Sequence, residues 1–129
     1  MSAIDMKTPI LIVDDYKTML RIIRNLLKQL GFDNVDEATD GSTALQKLRE
    51  KAYGLVISDW NMEPMDGLQL LKTIRADSKI GQTPFIMMTA QADKKYVQMA
   101  AEAGVNNYVV KPFNAETVKK KIEQVMGKI

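Results

Sequence analysis

The chain has 129 residues, enough for one domain and too few for a second of ordinary size. Hydrophobic residues make up 46% and charged residues 26%, an ordinary globular balance, and a net charge of +2 gives no basis for binding nucleic acid. With no cysteine and no histidine, the chain has no disulfide, no thiol nucleophile, no Ser–His couple, no His-ligated zinc and no histidine phosphodonor of its own. Carboxylates, lysines, hydroxyls and backbone must carry any chemistry. The first residues lack the apolar core of a signal peptide, and no apolar run approaches the roughly 20 residues of a membrane span, so a cytoplasmic protein without membrane contact is expected.

The β-branched run over 9–13 predicts a strand ending at Asp14 and Asp15. Met19, Leu20, Ile22, Ile23, Leu26, Leu27 and Leu30 then recur at helical spacing, and Gly31 stands where a left-handed C-cap is wanted. A short strand over 34–38 leads through Asp40 and Gly41 into a second helix with Ala44, Leu45 and Leu48 apolar. The third strand, over 55–58, ends at Asp59. Asp66 and Gly67 open a third helix, and Asp66 with Gln69 three residues on makes a capping-box pair. A fourth strand over 84–89 precedes an alanine-rich helix over 93–103 closed by Gly104. A fifth strand over 108–110 ends at Lys111 and Pro112, and Asn114 caps a last helix carrying Val118, Ile122, Val125 and Met126. Five strand–helix repeats with apolar strands predict a single α/β domain over 1–129, a parallel sheet between two helix layers.

In such a sheet all C-terminal strand ends share one edge, so Asp14, Asp15, Asp59, Thr89 and Lys111 would converge on one crevice. Each has a plainer role when taken alone: Asp15 as an N-cap, Asp59 as a turn residue, Thr89 as an ordinary strand residue, Lys111 as a solvated loop lysine. Their joint placement at strand ends argues for a site. Clustered carboxylates repel one another, and a hard divalent cation such as magnesium relieves the repulsion. Lys111 adds a positive charge and Thr89 a hydroxyl, together a cradle for a phosphoryl group with Asp59 as acceptor.

These residues resemble the response regulator receiver family, and more narrowly its CheY-type chemotaxis branch. The resemblance covers nearly the whole chain and rests on Val-Asp-Asp (13–15), Arg-Asn-Leu-Leu-Lys (24–28), Val-Ile-Ser-Asp-Trp-Asn-Met (56–62), Met-Asp-Gly (65–67), Leu-Leu-Lys-Thr-Ile-Arg-Ala-Asp (70–77), Thr-Ala (89–90) and Tyr-Val-Val-Lys-Pro-Phe (108–113). It implies a flavodoxin-like doubly wound sheet in the order 2-1-3-4-5 with five helices. It implies that Asp59 is phosphorylated, that Asp15, Asp59 and the Asn61 backbone carbonyl ligate magnesium, and that Asp14 does so through water. Thr89 and Lys111 would bind phosphoryl oxygens, and Tyr108 would move inward as an aromatic switch when Thr89 shifts. The Lys111–Pro112 bond is expected to be cis. Ala92, Lys94, Val97, Tyr108 and Lys121 match the family's partner face.

The implied partners are a sensor histidine kinase of CheA type, a flagellar motor switch protein and a phosphatase, with the chain itself a monomeric switch and not an enzyme. Three departures from the family pattern stand out. Glu63 occupies the usual proline position and Pro64 follows it. Gln91 replaces a glutamate beside the path of the hydrolytic water, which with Asn61 bears on self-dephosphorylation. Lys119 and Lys120 make the start of the last helix more basic. A phosphate-sink receiver without motor binding remains open on these residues. A magnesium-dependent aspartyl phosphatase would want an acid at position 61, which is Asn, and a flavodoxin-type binder would want a glycine- and hydroxyl-rich loop after the first strand.

Overall fold

Strands that bury both faces must lie inside a sheet covered on either side. All residues of β1 (Ile10–Val13), β3 (Leu55–Asp59) and β4 (Phe85–Thr89) are buried. By contrast, β2 (Val35–Ala38) buries only its end residues and β5 (Asn107–Val110) only Tyr108 and Val109. The computed structural model, which describes residues 5–90 and 93–127, arranges them to match. Five parallel strands run in the order β2-β1-β3-β4-β5, the two half-buried ones at the edges.

Helices α1 (Lys17–Gln29), α2 (Gly41–Glu50), α3 (Gly67–Ala76), α4 (Lys94–Glu102) and α5 (Ala115–Met126) fill the connections. Alternation along each strand divides the core into two halves. Leu11, Val13, Val56, Phe85 and Met87 pack with Leu45, Leu48, Leu70, Leu71 and Ala100, placing α2, α3 and α4 on one face. Ile10, Ile12, Ile57, Ile86 and Met88 pack with Leu20, Ile23, Leu27, Val118 and Ile122, placing α1 and α5 on the other. No helix among the described residues is long and apolar enough to cross a membrane.

Local signals set most helix starts. Asp40 accepts from the Thr43 N–H at 2.7 Å and Asn114 from the Thr117 N–H at 2.8 Å. The Asp66–Gln69 capping box forms with both of its bonds, 2.8 and 2.9 Å. Gly31 takes φ +103°, the left-handed conformation a helix end wants without a Cβ penalty. One residue departs from the expected apolar stripe: Ile22 is 45% exposed, because α1 buries the narrower face formed by Leu20, Ile23 and Leu27.

Candidate functional site

The strand order reverses between β1 and β3, and a reversal of this kind opens a crevice at the strands' C-terminal ends. Asp14 and Asp15 follow β1, Asp59 closes β3, Thr89 closes β4 and Lys111 follows β5. Register levels these ends: Val13 lies opposite Ser58, Asp59 opposite Met88, and Thr89 opposite Val110. One carboxylate oxygen from each of Asp14, Asp15 and Asp59 lies within 4.8 Å of the others. The Lys111 ammonium sits 2.7 Å from Asp59 Oδ1 and 4.0 Å from Asp14 Oδ2. Residues separated by about a hundred positions of chain thus meet at one rim.

Asp14 and Asp59 are buried and Asp15 is exposed. Asp15 does not cap α1, whose N-cap is Tyr16 and has no side-chain cap bond. Asp14 Oδ1 accepts from the Tyr16 N–H at 2.9 Å, while its Oδ2 is buried without a hydrogen-bond partner. Burial pushes the Asp14 carboxyl up to about 6; the negative charges of Asp59 and Asp15 add to the rise, while the Tyr16 bond and Lys111 oppose it. An orphaned carboxylate oxygen in an all-oxygen acidic cluster fits a hard divalent cation, which would give that oxygen a partner and offset the repulsion. Asp14, Asp15 and Asp59 are the side chains that would hold it.

The backbone around Asp59 is fixed from two sides. The Trp60 N–H donates to Met88 O at 2.9 Å and the Lys111 N–H to Thr89 O at 2.7 Å, carrying the ladder past the strand ends. From the other side, the Gly67 N–H donates to Trp60 O at 2.8 Å. A Cβ at position 67 would stand 2.3 Å from Asp59 O and 2.9 Å from Trp60 Cα. Gly67 therefore does more than open α3: the missing side chain lets the helix start press against the peptide that carries Asp59.

Thr89 is fully buried, and its side chain hydrogen-bonds with that of Tyr108. Tyr108, expected to travel inward, lies inward here at 9% exposure, with its ring 6.3 Å edge-on from Trp60. Burial raises the Tyr108 phenol above its ordinary range; the Thr89 bond opposes this, and the nearby Asp93 and Tyr96 contribute to it. Asn61 and Glu63 are exposed on the loop beyond β3. Lys111–Pro112 is cis as expected, and Glu63–Pro64 is cis as well. On the expected partner face, Lys94 and Val97 are exposed on α4, while Lys121 is partly buried and its carbonyl accepts from Asn107 Nδ2 at 3.2 Å. Gln91 and Ala92 lie outside the described residues.

The alanine pattern that marks α4 in the sequence gives no sign of Tyr96, whose ring meets Trp60 edge-on at 5.4 Å. The signal was present in the spacing of Tyr96, Met99, Ala100 and Ala103, which together turn one side of α4 to the core.

Comparison with known proteins agrees with this geometry. Residues 10–123 match the response regulator receiver domain. The chain is 49% identical over 120 residues to the chemotaxis protein CheY-3 of Vibrio cholerae, covering 93% of this chain and 92% of that one. It is also 49% identical over 120 residues to the chemotaxis protein CheY of Pseudomonas aeruginosa, covering 93% and 97%. Among solved structures, CheY4 of Vibrio cholerae superposes with a TM-score of 0.85 at 32% identity, covering 92% of this chain and 98% of that one. The receiver domain of a Pseudomonas aeruginosa sensor histidine kinase superposes with a TM-score of 0.84 at 26% identity, covering 95% and 99%, and is described with a magnesium ion coordinated in its active site cleft.

Proposed function

The chain belongs to the response regulator receiver family, as a CheY-type receiver of two-component signalling, and from that premise we propose that it is a phosphoacceptor switch acting at Asp59. The observation that carries this reading is the acidic triad facing Lys111: Asp14, Asp15 and Asp59 within 4.8 Å, with the ammonium 2.7 Å from the acceptor. No external substrate is required for such a site to work, only a donor that presents a phosphoryl group. The family resemblance implies a kinase phosphohistidine as donor, and with no histidine in the chain that donor is supplied in trans.

Asp14, Asp15 and Asp59 would hold magnesium, which would supply charge neutralisation for them and for the incoming anionic oxygens. An oxygen of Asp59 attacks phosphorus as the donor's phosphorus–nitrogen bond breaks, and the imidazole leaves with the electron pair. Lys111 exchanges its ion pair with Asp59 for one with a phosphoryl oxygen. The Thr89 hydroxyl turns to donate to another, giving up its arrangement with Tyr108. The change passes to Tyr108 and to α4, β5 and α5, where Lys94, Val97 and Lys121 meet a partner whose affinity differs between the two states. The kinship with chemotaxis proteins favours a flagellar motor switch as that partner.

Trp60 adjoins the acceptor and is the one tryptophan in the sequence, so its emission reports on the site. Titration with magnesium should quench it, and beryllofluoride, a phosphoryl mimic, should change it again in the parent but not in Asp59→Asn. A folded parent that binds magnesium but neither responds to beryllofluoride nor takes label from a small phosphodonor would overturn the reading. Pulldown on the motor switch protein, with and without the mimic, separates motor output from a phosphate-sink role.

A further inference from the structure

Helix α4 carries two of the residues expected to meet a partner, yet it is the most lightly held helix among the described residues. It buries one residue, Ala100, against three in α1, four in α2, five in α3 and two in α5. Its N-cap, Asp93, makes no side-chain cap bond. Its C-terminal end is better fixed. Arg75, at the end of α3, donates through Nε to Gly104 O at 3.0 Å and through Nη2 to Asn106 Oδ1 at 2.8 Å, and the same guanidinium donates to Thr83 O. Arg75 therefore ties the turn after α4 to the body of the domain.

The N-terminal half of α4 has a different attachment. Tyr96, in the first turn, meets the Trp60 ring at 5.4 Å with an interplanar angle of 85°, and Trp60 in turn meets Tyr108 at 6.3 Å and 79°. Both separations and both angles lie in the range that edge-to-face aromatic pairs prefer. Trp60 is covalently next to Asp59, and Tyr108 hydrogen-bonds with Thr89. Trp60 therefore stands between the acceptor peptide and two tyrosines, one on β5 and one on α4.

We infer that Tyr96 is a positioning residue that couples α4 directly to the acceptor through Trp60, a second connection beside the one through Thr89 and Tyr108. This rests on the reading of Asp59 as the phosphoacceptor. A movement of the Trp60 indole changes the surface that Tyr96 leans on. Because α4 is pinned behind at Gly104 and rests in front on that ring, the helix tilts as a unit. Val97 and Lys94, the outward neighbours of Tyr96, are carried with it. Tyr96 contributes no atom to the acidic cluster, so its effect falls on transmission and not on metal binding.

The test uses the full chain with Tyr96→Phe, Tyr96→Leu and Tyr96→Ala. The readouts are magnesium affinity from Trp60 emission and amide hydrogen exchange over residues 94–102 with and without beryllofluoride. Magnesium affinity should stay close to the parent's in all three. The change in α4 exchange produced by beryllofluoride should persist in Tyr96→Phe, which keeps the ring edge. It should fall by about two-fold or more in Tyr96→Leu and Tyr96→Ala. Tyr96→Leu keeps apolar bulk, so a failure of Tyr96→Ala to fold leaves the question answerable. A parent that responds while Tyr96→Leu transmits the full change overturns the inference alone. A folded parent that binds magnesium but not beryllofluoride overturns the phosphoacceptor reading, and the inference with it.

Discussion

Helices α3 and α4 lie in one layer over one face of the sheet, yet they are held in opposite ways. The start of α3 has a complete capping box, five buried residues behind it, and Gly67 pressed against the Asp59 peptide. The start of α4 has no side-chain cap bond, and the helix buries only Ala100. The difference separates two jobs. A phosphoacceptor, the role proposed for Asp59, must be held where donor and cation can meet it, and the closely seated start of α3 suits that job. A reporting element must shift for a modest change in free energy, so it is drawn from the weakly held end of the structure.

The largest expected effect removes the event to which both helices answer. Asp59→Asn should take up no label from a small phosphodonor and should leave α4 exchange unchanged by beryllofluoride, while the fold persists. Next comes Gly67→Ala, which breaks the seat of α3. With a backbone oxygen this close to the new Cβ, something must move, and the loss should be about 2–3 kcal/mol in unfolding free energy from urea denaturation, with weakened magnesium binding.

The acidic cluster responds to pH with a definite sign. Asp14 is raised to about 6 when folded, against 3.8 for the ordinary group, so the metal-free fold binds its proton more tightly than the unfolded chain does. Its contribution to stability is fully present below the ordinary carboxylate range and is lost as pH rises through about 6. Asp14→Asn should therefore stabilise the metal-free protein near neutrality by about 2 kcal/mol, with the gain disappearing in acid. Magnesium affinity in the parent should weaken as pH falls through the same range. The smallest effects sharpen the contrast between the helices: Asp66→Ala should cost about 1 kcal/mol, whereas Asp93→Ala should change stability by less than about 0.5 kcal/mol. Equal losses at the two caps would remove the distinction.

Much of the site was legible because it depends on strand ends. Asp14, Asp59, Thr89 and Lys111 each stand where an apolar run stops, and a parallel sheet brings such stops to one edge. Asp15 follows from the same strand end as Asp14, whereas the Asn61 backbone carbonyl, and which acids would meet the metal directly, came from the family resemblance alone. Gly67 was visible as a helix opener but not as a contact with Asp59, because a close approach between backbones leaves no mark in local sequence. The role of Tyr96 is hidden for a similar reason: its partner, Trp60, is thirty-six positions away and on another element.

Periodicity and turn chemistry alone determined the ten elements, most of their caps and the convergence of the reactive groups, since these follow from interactions within a few residues and from the geometry of parallel strands. Tertiary structure decided which oxygen of Asp14 is left without a hydrogen-bond partner, that Lys111 leans on Asp59, that Tyr108 lies inward, and that α4 rests on Trp60. Those outcomes depend on packing between elements distant in the chain, where burial and mutual electrostatics are set only once the layers have closed.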